Sequence, residues 1–215
     1  PTPVVGMVGL VADLAHVRGL AWRQATDAIW LLGVPPEEEG DERVGLAGSS
    51  YQGVIHGLLS GRPPQVDLAL EQRVQALLRE AIAAELVASA HDLSDGGLAV
   101  ALAEASMASG LGARVALPAT GGRWDRRLFA EGGARVLVGV PLEREEAWRE
   151  RLAGAATAAG EALPATRLGQ VTASADLVIQ AGDAMLLQLP VCQLREVYEQ
   201  ALPRRMRQAG PPPER

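Results

Sequence analysis

The organisation of the chain is clearest at residues 91–105, which read HDLSDGGLAVALAEA. The polar half of this stretch follows a short apolar run, residues 86–90, and the alanine-rich half continues to about Ser109. Because Gly96 and Gly97 separate the two halves, the pattern predicts the end of a strand, a tight turn and a helix, in that order. The small alanine side chains would let this helix pack closely against a sheet.

Upstream, the sequence predicts a strand, an apolar run and a long helix. Residues 4–11 are β-branched and punctuated by glycine, which favours a buried strand. The apolar run at residues 28–32 stops at Gly33, and the polar residues 34–49 predict a solvated loop. Asp67 lies near the start of an amphipathic helix. The apolar residues of that helix recur at spacings of three and four: Val66, Leu70, Val74, Leu77, Leu78, Ile82 and Leu86.

The second half of the sequence alternates between strands and helices. Strands are predicted at residues 113–117, 134–140, 176–180 and 184–189. Helices are predicted at residues 126–130 and 143–159, with a final helix marked by Val191, Leu194, Tyr198 and Ala201. The alternation favours a layered α/β or α+β domain with one mixed sheet and packed helices.

Composition excludes several classes of function. A net charge of −6 over 215 residues argues against nonspecific nucleic-acid binding. Cys192 is the one cysteine, so an internal disulfide is excluded and a reducing, cytoplasmic location is expected. No apolar run approaches the roughly 18 residues of a membrane span. The sequence has neither lysine nor asparagine, which excludes a Schiff-base lysine, a P-loop lysine and an asparagine ligand within these residues.

The turn at residues 91–97 is the densest polar cluster in an apolar setting, so it is the candidate ligand site. A helix start presents free N–H groups and a partial positive charge, which suits phosphate. Asp92 and Asp95 could hold Mg²⁺ through their carboxylates. The structural alternative is that Ser94 or Asp95 caps the helix and that the glycines only form a turn. From the residues alone, both interpretations stay open for Asp92, Ser94, Asp95, Gly96 and Gly97.

Other polar residues have structural interpretations of the same kind. Ser49 precedes a second predicted helix and is expected to cap it. Glu131, followed by two glycines, is either part of a turn or a ligand. The lone Cys192 cannot build a zinc site.

The stretch at residues 91–105 resembles the C-terminal half of phosphoribosylformylglycinamidine synthase in its small bacterial form. That family is an ATP-dependent amidotransferase of the purine pathway, and it is related to aminoimidazole ribonucleotide synthase. Supporting stretches follow in the same order over nearly the whole chain: residues 1–6 with 9–10, 27–33, 48–51 with 56–57, 128–131 with Arg135, and 201–205.

The resemblance implies two tandem halves, each with an A domain and a B domain. Residues 1–25 would end the second A domain, residues 26–202 would form the second B domain, and residues 203–215 would be a frayed tail. The family uses ATP and Mg²⁺ to phosphorylate an amide oxygen of formylglycinamide ribonucleotide, and ammonia then displaces the phosphate. The implied partners are the N-terminal half of the same enzyme, a glutaminase subunit and a small accessory subunit. The catalytic His and Lys and a Gly-Asn stretch would precede residue 1.

Two departures from the family pattern point to an architectural role. The Glu-Ser-Gln stretch that binds substrate in the first half reads Glu-Gly-Gly here, starting at Glu131, and Ser50 replaces the acid of a Gly-Ser-Glu-Tyr stretch. Asp92 carries over as a metal candidate only through the pseudo-symmetry of the halves. We therefore expect no catalytic residue in this chain, an auxiliary nucleotide-phosphate site at most, no nucleic-acid or membrane partner, and self-association of the fragment. Mg²⁺ and ATP are expected as cofactors of the whole enzyme.

Two alternatives stay open. The chain could be a small ATP-binding enzyme of the same superfamily, similar to selenophosphate synthetase or thiamine-phosphate kinase. It could also be a non-catalytic interaction module.

Overall fold

The structure is a computed structural model that describes residues 4–36, 40–119, 122–156 and 160–208. Seven strands form one sheet: β1 Ala28–Gly33, β2 Ser89–Asp92, β3 Gly112–Leu117, β4 Arg135–Val140, β5 Ala165–Thr172, β6 Asp176–Ala181 and β7 Ala184–Pro190. Their order is β2-β4-β1-β5-β3-β6-β7. The β3–β6 pair is parallel and the other pairs are antiparallel, which confirms the predicted mixed sheet.

The described residues also form six helices. They are α1 Ser50–His56, α2 Leu68–Ala83, α3 Gly97–Ser109, α4 Trp124–Phe129, α5 Glu145–Gly154 and α6 Val191–Gln208. Short 3-10 turns occur at Leu14–His16 and Leu142–Arg144. Among the described residues, no helix combines the length and the apolar character needed to cross a membrane.

The sheet separates two apolar cores, and the alternation of β1 supplies both. Ile29 and Leu31 face the core that α3 covers, whereas Trp30 and Leu32 face the core that α2 and α5 cover. Because side chains of a strand point alternately to its two faces, a strand buried on both sides is continuously apolar. All six residues of β1 are buried. Trp148 of α5 is fully buried and packs edge-on against Trp30, with ring centroids 6.4 Å apart.

Most of the expected elements are confirmed. α3 occupies Gly97–Ser109 and ends at Gly110, which adopts the left-handed conformation. Asp67 caps α2 by accepting a hydrogen bond from the N–H of Leu70 at 3.0 Å. Ser49 caps α1 through the N–H of Gln52 at 3.2 Å.

The predicted buried strand at residues 4–11 is wrong. These residues form no strand, and their apolar side chains are exposed, Val8 and Leu10 fully so. β-branched composition favours a strand only where a neighbouring strand completes the hydrogen bonds, and no described strand pairs with this segment.

β5 is a strand that the sequence pattern did not indicate. Its two buried residues, Leu168 and Val171, are three positions apart instead of two. The spacing is irregular, and the register of β5 against β1 also shifts at Ile29 and Trp30. Gly169 is needed in this strand, because a Cβ there would lie 2.0 Å from the carbonyl oxygen of Arg114.

The helices near the end of the chain differ in length from the prediction. α5 ends at Gly154, short of residue 159, and residues 157–159 lie outside the described part, as do residues 1–3 and 37–39. α6 continues through Pro203 to Gln208, where the sequence predicted a frayed tail from residue 203. Residues 209–215 of that predicted tail are outside the described residues.

Candidate functional site

The candidate site is the turn that joins β2 to α3. Gly96 and Gly97 both adopt the left-handed conformation, with φ of 80° and 64°. The N–H of Gly97 donates to the carbonyl of Ser94 at 3.1 Å, which closes the turn. Gly96 occupies the capping position and no side chain caps α3, so the alternative in which Ser94 or Asp95 caps this helix is wrong.

A carboxylate from another part of the chain fills the turn. The Oε1 atom of Glu131 accepts a hydrogen bond from the N–H of Gly96 at 2.7 Å and another from the N–H of Ser50 at 2.8 Å. Ser50 is the first residue of α1. One side-chain oxygen therefore joins the beginnings of two helices, at positions where helix N–H groups lack partners within the helix. Hydrogen bonds to an ionised acceptor are among the stronger ones in proteins.

The backbone around Glu131 holds its side chain in place. Glu131 and Gly45 exchange two backbone hydrogen bonds, each 2.9 Å long. Gly132 follows in a tight packing, because a Cβ there would lie 2.2 Å from the carbonyl oxygen of Arg43. Glu131 therefore lies in an isolated bridge that is followed by a bend at Gly133, and its carboxylate binds backbone N–H groups of the protein itself.

A buried arginine lies four residues after Glu131. Arg135 is 3% exposed, and its guanidinium donates to the carbonyl of Ala130. Burial lowers the pKa of Arg135 to about 10, whereas the charge of Glu131 acts to raise it. Its Nε atom has no hydrogen-bond partner within the described ranges. The attraction to Glu131 therefore favours the charged form of this guanidinium.

The acidic end of the turn is open to solvent. Ser94 donates its hydroxyl to Asp92, and this hydrogen bond is the main cause that holds the pKa of Asp92 below its ordinary value. The side chain of Asp92 is 75% exposed. His91 lies between two carboxylates, with its Nε2 atom 2.9 Å from Glu104 and its Nδ1 atom 3.6 Å from Asp92. Asp95 is exposed.

An apolar cavity of about 220 Å³ lies beside the turn. Tyr51 and Phe129 stack in its wall, with ring centroids 4.8 Å apart and planes inclined by 13°. Gly96, Val100 and Val54 complete this wall. The cavity presents no charged side chain, so by itself it does not suit a phosphate group.

The two backbone donors of the turn that could bind a phosphate already have partners within the protein. The N–H of Gly96 is engaged by Glu131, and that of Gly97 by Ser94. In the part of the chain that the structure describes, no group of three or more His, Cys, Asp or Glu side chains could hold a metal. The assignments of phosphate to Asp92, Ser94, Asp95, Gly96 and Gly97, and of Mg²⁺ to Asp92, remain predictions.

The sequence predicted the turn at residues 91–97, but it did not indicate that the carboxylate of Glu131 binds there. Glu131 is separated by dozens of residues from both Gly96 and Ser50, and no local pattern connects them. The available signal was the combination of an acid followed by two glycines before a buried strand. That combination indicated a turn or a ligand without indicating what the carboxylate binds.

The sequence matches known proteins over most of its length. A family model described as the C-terminal domain of AIR synthase related protein matches residues 20–182. The chain is 61% identical over 206 residues to the phosphoribosylformylglycinamidine synthase subunit PurL of Synechococcus sp. strain WH7803, covering 96% of this chain and 26% of that protein. It is 56% identical over 208 residues to the PurL subunit of Prochlorococcus marinus strain MIT 9303, with the same coverage. The chain thus spans about a quarter of the length of these relatives.

Solved structures show the same fold. PurL of Thermotoga maritima complexed with ATP matches with a TM-score of 0.61 and 15% identity, over 85% of this chain and 28% of that one. PurLQS of T. maritima matches with a TM-score of 0.63 and 17% identity, over 86% of this chain and 28% of that one. The hydrogenase maturation protein HypE matches with a TM-score of 0.51 and 21% identity, over 80% and 56%.

Proposed function

Because the chain belongs to the AIR synthase related protein family, whose C-terminal domain its residues 20–182 match, we propose that it is part of a phosphoribosylformylglycinamidine synthase. This ligase uses ATP to convert formylglycinamide ribonucleotide to formylglycinamidine ribonucleotide in purine biosynthesis. The observation that carries the proposal is the identity of 61% over 206 residues to a PurL subunit.

Within that enzyme the chain acts as an architectural B domain. Residues 1–25 end a preceding A domain and residues 26–202 form the B domain, whose last helix, α6, extends to Gln208. The N–H of Gly96, which a nucleotide phosphate would need, is bonded to Glu131. This hydrogen bond supports a domain that shapes the enzyme while other parts carry the chemistry.

The remaining parts of the proposal concern the whole enzyme. ATP and Mg²⁺ are its cofactors and bind mainly outside this chain. Its partners are the N-terminal half of the same polypeptide, a glutaminase subunit and a small accessory subunit, all in the cytoplasm. The turn residues Asp92, Ser94, Asp95, Gly96 and Gly97 are its candidate auxiliary contact to phosphate, with Asp92 as the metal candidate.

Synthase activity of the longer subunit that contains this chain tests the proposal. With ATP, Mg²⁺, ammonium and formylglycinamide ribonucleotide, the longer subunit should form product, whereas the 215-residue chain alone should not. Failure of the longer subunit to form product would refute the assigned reaction, and turnover by the chain alone would refute the architectural role.

Single substitutions in the longer subunit separate the two roles. Asp92→Ala should change kcat by no more than about twofold if this carboxylate does not act on the reacting atoms. Glu150→Ala, at an exposed position of α5, is the matched control. A loss of about 100-fold in kcat for Asp92→Ala, in a protein that still folds, would assign a direct role to this half.

A further inference from the structure

One face of α6 carries an apolar stripe that is buried at the start of the helix and exposed to solvent further along it. Val191 is 2% exposed, and Leu194 packs against the core that α3 covers. The stripe continues from Leu194 at intervals of four residues, but Tyr198, Leu202 and Met206 are 67%, 67% and 69% exposed. Since residues four apart lie on the same face of a helix, the face that is covered in the first turns of α6 is uncovered in its later turns.

The uncovered stripe is continuous with a cavity. Tyr198 lines an opening of about 250 Å³ together with Leu20, Met107 and Ala108. The charged residues Glu104, Arg195 and Glu199 also line it. Leu20 is the point where the exposed N-terminal segment enters the fold. The stripe and the cavity together form one apolar surface, which we call the α6 surface: Leu20, Met107, Ala108, Tyr198, Leu202 and Met206.

The boundaries of the sequence matches indicate what covers the α6 surface. The family model ends at residue 182, before β7 and α6. The match to PurL subunits covers 96% of this chain, although it spans 26% of their length. Most of α6 therefore falls within the alignment with the longer PurL subunits. The helix lies outside residues 20–182, which the family model matches.

We propose that the α6 surface docks onto another domain of the same longer polypeptide. This inference rests on the proposed function, because that function supplies the remaining three quarters of the chain. The occupant presents an apolar groove to Tyr198, Leu202 and Met206. Carboxylates border this groove, since Arg205 and Arg207 lie in the last turn of α6 and would meet opposite charge there. Arg204 is already paired with Glu196 of the same helix at 2.9 Å.

Oxidation of Met206 by hydrogen peroxide, followed by mass spectrometry, tests the docking. The rate of methionine oxidation follows exposure. In the 215-residue chain Met206 should react at the rate of an exposed methionine. In the longer subunit its oxidation rate should be lower by a factor of about ten or more. Equal rates in the two proteins would overturn the proposal. Slow oxidation in the 215-residue chain that depends on its concentration would identify a second copy as the occupant and would also overturn it.

A pair of substitutions in the longer subunit completes the test. Leu202→Asp should restore fast oxidation of Met206, because a buried charge opposes docking. Leu59→Asp makes the same change at a residue that is 85% exposed and outside the α6 surface, and it should leave Met206 protected. Protection that survives Leu202→Asp would contradict the proposal. Synthase activity is measured on the same samples, so an active subunit with unprotected Met206 refutes the docking alone, and an inactive subunit with protected Met206 refutes the reaction alone.

Discussion

The carboxylate of Glu131 lies 2.7 Å from the amide nitrogen of Gly96, at the position where an anion bound to the start of α3 would lie. The same oxygen receives the N–H of Ser50. The protein thus places its own carboxylate in a turn that the sequence left open to either phosphate binding or a purely structural role. This relationship leads to the first two predictions.

Removal of the Glu131 carboxylate should destabilise the fold. Glu131→Ala leaves the N–H groups of Gly96 and Ser50 without their acceptor, and we expect the free energy of unfolding to fall by about 2 kcal/mol, since hydrogen bonds to charged groups contribute about 1.5–3 kcal/mol. Glu131→Gln keeps an acceptor oxygen and should cost about half as much. Urea denaturation measures both. The exposed control Glu150→Ala should stay within about 0.5 kcal/mol of the wild type, and an equally small effect of Glu131→Ala would show that these hydrogen bonds contribute little.

Glu131 should also compete with phosphate for the turn. Titration with inorganic phosphate should leave the amide shift of Gly96 unchanged in the wild type and move it in Glu131→Ala, with a dissociation constant of roughly 1 mM, about 4 kcal/mol.

Mg-ADP should bind more weakly to Asp92→Ala than to the wild type if Asp92 holds the metal. Small, equal shifts throughout the protein in the wild type and in both variants would mean that the turn is only a helix start.

Gly97 should not tolerate a side chain. A Cβ at this position would lie 2.5 Å from the carbonyl oxygen of Ala130 and 2.9 Å from the carbonyl carbon of Phe129, at a φ of 64°. Gly97→Ala should therefore destabilise the protein by about 3 kcal/mol through left-handed strain and the clash. The matched control is Gly53→Ala within α1, where nothing lies within 4 Å of the new Cβ; it should stabilise by about 0.5 kcal/mol. Thermal denaturation of the two variants should move in opposite directions.

Acid should weaken the ion pair between Asp41 and Arg43. The hydrogen bond from the Arg43 side chain holds the pKa of Asp41 below its ordinary value of 3.8. A carboxyl whose pKa is lower in the folded state adds stability above its unfolded pKa, and this stability is lost as the pH falls through the folded pKa. The free energy of unfolding should thus fall less between pH 7 and pH 3 in Asp41→Asn than in the wild type. Identical pH dependence would contradict the assignment.

The 215-residue chain should self-associate at high concentration. Val4, Val5, Met7, Val8 and Leu10 are each at least 85% exposed, and exposed apolar clusters of this kind promote association. Light scattering should report a mass that rises with concentration, and a version that begins at residue 18 should show a smaller rise. A constant monomeric mass for the complete chain would contradict this prediction.

The starts of three helices could be predicted because the residues that mark them lie close by in the sequence. The two glycines marked the start of α3, and Asp67 and Ser49 marked the starts of α2 and α1, because a cap bonds to residues three positions away. β5 escaped prediction because its bulge breaks the alternation between Leu168 and Val171. The role of Glu131 also escaped, since its partners are brought together only by the completed sheet. The strand predicted at residues 4–11 had the right composition, but no described strand pairs with it.

The position of β1 between β4 and β5 has a consequence for the timing of folding during translation. Leu32 pairs with Ala165, so the most buried strand of the sheet is made before both of its neighbours. It obtains its second neighbour roughly 130 residues later, which is about 7–26 seconds of synthesis at 5–20 residues per second. Until then one edge of a strand with six consecutive buried positions stays unpaired. Slow, late closure of this kind is typical of sheets with distant strand pairs.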